Sequence, residues 1–266
     1  MKRRLGRLES LLLAYAQLRD LTTLRTGEVR EALRLSASQE RALLSRLTRA
    51  RLLARVRRGL YLVPARLPLG GAWTPEPMAA LITLMEDRGA RYQICGPSAF
   101  SRYGLDDQVP TRLYAYNNRL SGSRTIGAAA LTLIKVADAR LGGTERVEAG
   151  AGQFAVYASR VRTLVDAVYD WSRFGGLPRA YGWIRSDLGA RRVDAAELVR
   201  TALRYGNTGT IRRIGALLQR LGLDEGLLRK LERALGPTSA LIPWIPARPS
   251  RGLVDRRWGV VLNGEA

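Results

Sequence analysis

Residues 36–63, which read SASQERALLSRLTRARLLARVRRGLYLV, are the stretch that best indicates the fold of the N-terminal part of the chain. Ser36 and Gln39 have the spacing of a capping box, in which each side chain hydrogen-bonds the backbone amide of the other residue, so we predict that a helix begins there. Alternating residues then predict a strand at Ala54–Arg57, a turn at Gly59 and a second strand at Leu60–Val63. The stretch therefore predicts a helix followed by a basic β-hairpin.

Two more helices are predicted before this stretch. Apolar residues recur at helical spacing within Leu8–Arg19, which indicates a helix with one buried face. Thr26 is placed to cap a short second helix that ends at Leu33, with acidic residues in its first turns, where the helix dipole favours them. Three helices and a hairpin in this order are typical of a winged helix-turn-helix.

The predicted third helix has an apolar face and a cationic face. At 100° per residue, Leu43, Leu44 and Leu47 fall on one side. We predict that the polar and basic residues of the other side and of the hairpin contact DNA: Ser38, Arg41, Ser45, Arg46, Arg49, Arg55, Arg57 and Arg58. Such a helix fits the major groove, about 12 Å wide, and the hairpin tip can reach phosphates or the minor groove. The alternative is a plain three-helix domain whose arginines are only solvated.

The composition agrees with a polyanionic partner and disfavours most enzyme classes. The 266 residues contain 44 Lys+Arg against 23 Asp+Glu, a formal net charge of +21, and residues 1–68 hold 16 of the basic and 5 of the acidic side chains. This favours nucleic acid, although an arginine excess can also reflect a GC-rich genome. The absence of histidine and the single cysteine exclude Ser-His-Asp and Cys-His nucleophiles and zinc fingers. We expect no catalysis, no cofactor and no metal.

The remaining candidates for catalysis or metal binding are two carboxylates and one thiol. Cys95 lies in a short apolar strand, so we expect a buried hydrophobe rather than a nucleophile. Asp166 and Asp170 are four residues apart on a predicted helix and could form a metal or acid–base pair, but Arg162 lies four residues before Asp166, which favours an ion-paired face. On the helix predicted at Thr208–Leu221, three arginines are candidates for a second basic surface: Arg212, Arg213 and Arg220.

We predict the α+β class with two domains: an N-terminal winged helix-turn-helix (1–68) and a mixed α/β domain with a helical C-terminal part (69–266). A Pro- and Gly-containing linker is expected at Leu67–Pro77. The second domain is predicted to have a sheet part (about 78–158) and a helical part (about 159–266), with a last strand near Trp258–Leu262. The longest apolar runs of the whole chain are far shorter than the roughly 20 residues of a membrane span, so we expect no membrane partner and a cytoplasmic location.

Five segments in this order resemble the AbiEi family of antitoxins from type IV toxin–antitoxin and abortive-infection loci. They are RGLYLVP (58–64), ICGPSAFSRYGL (94–105), RTLVDAV (162–168), YGNTGTIRRIGALL (205–218) and DRRWGVVLN (255–263). The resemblance covers nearly the whole chain. It implies a repressor of its own operon that binds double-stranded DNA, as two copies on an operator with inverted repeats. It also implies that the C-terminal domain counters a co-encoded AbiEii-like nucleotidyltransferase toxin.

Two other functions stay open at this point. One is a stand-alone winged-helix transcriptional regulator without a toxin partner. The other is a protein-interaction module whose arginines bind an acidic protein and never contact DNA. A gel shift with the upstream region of the chain's own gene separates this module from both regulators.

Overall fold

The computed structural model of the chain describes residues 5–66, 72–150, 152–237 and 239–264. Its mixture of helices and several sheets confirms the α+β class. None of the helices in the described ranges has the length and apolar character needed to span a bilayer. The predicted linker falls partly on residues 67–71, which lie outside the described residues.

The N-terminal unit, residues 5–66, combines three helices with a three-stranded antiparallel sheet. Its elements are α1 (Arg7–Leu18), β1 (Thr23–Arg25), α2 (Glu28–Leu33), α3 (Ala37–Arg49), β2 (Ala54–Arg57) and β3 (Leu60–Leu62). Strand β3 lies in the middle and pairs antiparallel with both β1 and β2. Leucines of α1 and α3 form the core of this unit, and Leu12, Leu43 and Leu47 are completely buried.

The two helix starts predicted in this unit differ in outcome. The capping box is confirmed: the Gln39 amide donates to Ser36 Oγ at 3.2 Å, and the Ser36 amide donates to Gln39 Oε1 at 2.8 Å. The cap predicted at Thr26 is wrong, because α2 is preceded by Gly27 with φ +103°. The Thr26 amide instead donates to the carbonyl of Gly59 at 3.0 Å, which ties it to the hairpin turn.

The rest of the chain begins with a helix and a mixed six-stranded sheet. Its first elements are α4 (Pro77–Asp87), β4 (Tyr92–Ile94), α5 (Gly96–Arg102), β5 (Leu113–Asn117), β6 (Gly122–Ile126), β7 (Ala129–Lys135), β8 (Thr144–Glu148) and β9 (Phe154–Ala158). The strand order is β6-β7-β5-β4-β9-β8, in which β5–β7 and β4–β9 are parallel and the other pairs are antiparallel. Helix α4 packs on one face of the sheet, and α5 packs on β5.

The C-terminal part is a group of helices closed by a small sheet. Its elements are α6 (Arg160–Tyr169), α7 (Trp171–Phe174), α8 (Arg179–Gly189), α9 (Ala195–Tyr205), α10 (Thr208–Arg220), α11 (Glu225–Arg233), β10 (Ile242–Pro243), β11 (Leu253–Asp255) and β12 (Val260–Leu262). Helix α6 packs against both α9 and α10. The predicted last strand is present as β12, which lies between β10 and β11.

The hairpin of the N-terminal unit packs on the following part of the chain. Ala54 and Leu62 belong to the same buried cluster as Leu81 of α4 and Leu131 of β7. A hydrogen bond of 2.8 Å from the amide of Trp73 to the carbonyl of Arg51 adds a second connection. The position of the hairpin is therefore fixed by contacts on both sides of residues 67–71.

Candidate nucleic-acid interface

The outward face of α3 carries guanidinium groups and no accessible carboxylate. Five side chains predicted to contact DNA are exposed there: Ser38, Arg41, Ser45, Arg46 and Arg49. The only acidic residue of this helix, Glu40, is 1% exposed. The helix therefore presents three positive charges to solvent without a competing negative charge of its own.

Glu40 is buried because it holds the start of the preceding helix. Its Oε1 accepts hydrogen bonds from the amides of Gly27 at 2.8 Å and Arg30 at 3.0 Å. These amides lie at the N-terminus of α2, where the helix dipole favours a negative charge. One carboxylate of α3 thus caps α2 and fixes the angle between the two helices.

The arginines of α3 differ in their partners. Arg49 Nη2 donates to Ser45 Oγ at 3.2 Å, one turn back along the same face. Arg46 Nε lies 3.5 Å from Oε1 of Glu9 in α1, and 46% of the Arg46 side chain stays exposed. Among the described residues, Arg41 and Arg49 have no carboxylate within ion-pair distance. Arg46 is therefore the most neutralised of the three, and Arg41 and Arg49 are the most available to an external anion.

The hairpin and α2 extend the basic face into a cleft of about 580 Å³. Two predicted contact residues of the hairpin, Arg55 and Arg58, line the cleft beside Arg41 and Ser45. Gly59, with φ +82°, forms the tight turn between β2 and β3. Arg30 also lines the cleft and is exposed, although the sequence reasoning did not select it. In the sequence, only its place in the predicted second helix, just before α3, could have indicated that Arg30 belongs to the basic face.

Arg57 was predicted to contact DNA, but its guanidinium already binds groups within the protein. Its Nε and Nη2 donate to the two oxygens of Asp87 at 2.6 Å each, and its Nη1 donates to the carbonyl of Arg58 at 2.6 Å. The hydrogen bond from Arg57 also holds the pKa of Asp87 below its ordinary value. The Arg57 guanidinium is therefore paired within the protein, although 34% of the side chain is exposed, whereas its neighbour Arg58 has no carboxylate within ion-pair distance among the described residues.

The second basic surface predicted on α10 is not formed as predicted, because two of its three arginines are buried. Arg212 and Arg213 are only 5% and 6% exposed, and Arg213 donates to the carbonyl of Pro243 through Nε and Nη2. Burial lowers the pKa of Arg213. Helix α10 is enclosed by α6, α9, α11 and β12, so both guanidiniums fill interior positions. Of the three predicted residues, Arg220 alone is exposed.

The candidates for other chemistry are part of the interior. Cys95 is buried, as predicted, and burial raises the pKa of its thiol. Asp166 is ion-paired with Arg162 at 3.0 Å, as predicted, and additionally with Arg140 at 2.8 Å. Asp170 accepts a hydrogen bond from a buried tyrosine hydroxyl. Asp166 is therefore a buried ion-pair partner, and Asp170, whose side chain is 16% exposed, also pairs with Arg173.

Comparisons with known proteins establish the fold alone. The chain is similar to the crystal structure of the RV2827C protein from Mycobacterium tuberculosis, with 15% sequence identity and a TM-score of 0.66 over 97% of this chain and 92% of that one. No protein-family model matches the chain. No curated protein matches it either.

Proposed function

We propose that residues 5–66 form a winged helix-turn-helix that binds double-stranded DNA, with α3 in the major groove and the β2–β3 turn over the adjacent backbone. The observation that carries this proposal is the exposed face of α3, which has three arginines and two serines and whose single carboxylate is buried. Glu40 is buried because it caps α2, and as a result no carboxylate of α3 opposes an anion on this face.

The dimensions of the face suit a duplex. Ser38 and Arg49 are eleven residues apart, which is about 16 Å along a helix that rises 1.5 Å per residue. This length corresponds to about five base pairs. Arg41 and Ser45 are one turn apart near the middle of the face, where an arginine can donate two hydrogen bonds to guanine. Arg49 lies toward the C-terminal end.

The hairpin supplies the contacts that do not depend on sequence. Arg55 and Arg58 border the same cleft as Arg41, so they can contact the phosphates that flank the groove. Arg30 approaches from α2 on the other side of the cleft. The arrangement therefore divides into base-reading residues on α3 and phosphate-binding residues around it.

The test measures binding of the full chain to two fluorescent duplexes, one from the region upstream of its own gene and one with the same bases shuffled. We expect the natural duplex to bind more tightly. The variant Arg41→Gln should weaken that preference, by about 1–3 kcal/mol if the lost contact is to a base edge. Arg200→Gln, which removes an exposed arginine of α9, is the matched control and should change neither affinity. Equal effects of the two substitutions would refute the assignment of the α3 face.

The resemblance to the AbiEi family supports a wider proposal: the chain represses its own operon on inverted repeats, and its second part counters a nucleotidyltransferase toxin encoded beside it. Co-expression of the toxin with the full chain tests this. An Arg41→Gln/Arg49→Gln variant that no longer binds DNA should still restore growth. Growth arrest in the presence of the soluble unaltered chain would contradict the antitoxin role. A neighbouring gene unrelated to nucleotidyltransferases would favour the stand-alone regulator.

A further inference from the structure

Asp87 connects the N-terminal unit to the part of the chain that follows it. It is the last residue of α4, and its side chain is 5% exposed. Arg57 of β2 binds both of its oxygens, and Arg25 of β1 lies 3.6 Å from Oδ1. One carboxylate outside the N-terminal unit therefore binds arginines from two strands of that unit's sheet.

The position of this carboxylate is unfavourable without the arginines. The C-terminal end of a helix carries a partial negative charge, which repels an acidic side chain. Burial adds a desolvation cost for the charged form. The two-bonded contact with Arg57 offsets both effects, and its planar geometry allows only one orientation of the guanidinium. Asp87 therefore determines where the Arg57 side chain lies.

The same guanidinium continues the connection into the turn. Arg57 Nη1 donates to the carbonyl of Arg58 at 2.6 Å, directly before Gly59. On the other side of the turn, the Gly59 carbonyl accepts from the amide of Thr26 at 3.0 Å. The peptide that carries the exposed Arg58 side chain is thus held through Arg57 by a residue of α4.

We propose that Asp87 is a positioning residue for DNA binding, acting in two ways. Through Arg57 it fixes the turn that presents Arg58 to the duplex. It also binds Arg25 and Arg57 so that neither guanidinium contacts phosphates of unrelated sequences. This inference rests on the proposed DNA binding and adds that specificity depends on a carboxylate outside the N-terminal unit.

The first test uses the full-length variant Asp87→Asn on the natural and shuffled duplexes over a range of salt concentrations. The substitution releases Arg57 and Arg25, and also Arg88, whose Nε lies 3.8 Å from Asp87 Oδ2. The log–log salt dependence should steepen by about 0.9 for each new phosphate contact that these arginines make. The ratio of natural to shuffled affinity should fall about tenfold, the order expected for one displaced arginine contact. The double variant Asp87→Asn/Arg57→Gln should return most of the salt dependence to that of the unaltered protein and leave the ratio low. A purely structural role would not steepen the salt dependence.

The matched control is Glu225→Gln in α11. Glu225 binds Arg257 at 2.7 Å, so this substitution also removes a carboxylate that pairs with an arginine, and it adds the same charge to the protein. It should leave both the salt dependence and the ratio unchanged. If the control matched Asp87→Asn, net charge alone would explain the result and the proposal would be overturned.

The second test does not require DNA. Amide hydrogen exchange of residues 55–62 should be about tenfold faster in Asp87→Asn than in the unaltered protein or in Glu225→Gln. Arg57→Lys keeps the charge and loses the two-bonded contact, so it should give the same change if Asp87→Asn does not fold. Unchanged exchange in both variants would overturn the positioning role. Faster exchange combined with no DNA binding by the unaltered protein would refute the proposed function, and with it the role in DNA binding assigned to Asp87.

Discussion

Arg57 and Arg58 are adjacent and chemically identical, yet the structure predicts different effects of their removal on the salt dependence of DNA binding. Three arginines that line the cleft outside α3 have no carboxylate within ion-pair distance among the described residues: Arg30, Arg55 and Arg58. Three phosphate contacts correspond to a log–log salt slope of about −2.7. Between 50 and 200 mM salt the affinity should then fall about 40-fold. Arg58→Gln should reduce the slope to about −1.8 and the loss to about 12-fold, whereas Arg57→Gln should leave the slope unchanged.

Fluorescence anisotropy with a labelled duplex at five or more salt concentrations measures these slopes. Arg57→Gln is the comparison variant, because it removes the same group from the neighbouring residue. It should lower the ratio of natural to shuffled affinity through the turn and leave the slope unchanged. A slope shallower than about −1 for the unaltered protein would mean that the basic cleft does not bind phosphates. An equal reduction of the slope in both variants would show that the Asp87–Arg57 ion pair does not persist on DNA, and an unchanged slope in both would show that Arg58 contacts no phosphate.

Three further predictions concern the stability of the fold. Glu40→Gln should lower the free energy of unfolding by about 1–2 kcal/mol in urea, because a charged acceptor of two amides becomes neutral. Gly215→Ala should destabilise by about 1–3 kcal/mol, since its methyl group would lie 2.3 Å from the Trp258 ring, whereas Gly182→Ala meets open space and should stabilise by about 0.5–1 kcal/mol; thermal unfolding compares the two. Burial alone would raise the pKa of Asp187, but hydrogen bonds from two arginines lower it. A carboxyl with a lowered folded-state pKa stabilises the fold above its unfolded pKa and loses this contribution as the pH falls through the folded value. Tm should therefore fall below about pH 4, and less steeply in Asp187→Asn.

The parts of the interface that depend on local sequence were predicted. The capping box at Ser36 and the Gly59 turn are signals within a few residues, and the structure contains both. The helical period placed Arg41, Ser45 and Arg49 on the outward face, and all three are exposed. Local hydrogen bonds and side-chain period are sufficient for these features, because neither depends on the rest of the chain.

The failures have a common physical cause, which is contact between distant residues. Nothing around Arg57 distinguishes it from Arg58, and the difference comes from Asp87, 30 residues later. Arg212 was expected on a solvated side of α10, but neighbouring helices cover that side. Sequence period shows which residues share a helix face and does not show how many faces are covered.

Strand β6 could not be predicted for a different reason. Gly122–Ile126 lies at the edge of the six-stranded sheet, and four of its five residues are exposed. An edge strand of this kind has no alternation of apolar and polar residues, so the period of two that indicates a strand is absent. Its existence follows from pairing with β7, which only the folded chain shows.

The most direct test of the central claim is site-specific photo-cross-linking to DNA. A photoreactive side chain replaces Ser45 on the outward face of α3 or, as a control, the exposed Ser186 of α8. We expect the probe at Ser45 to cross-link the upstream duplex and the probe at Ser186 to give no product. Equal cross-linking from both positions, or none from Ser45 while the protein binds the duplex, would show that α3 does not enter the groove.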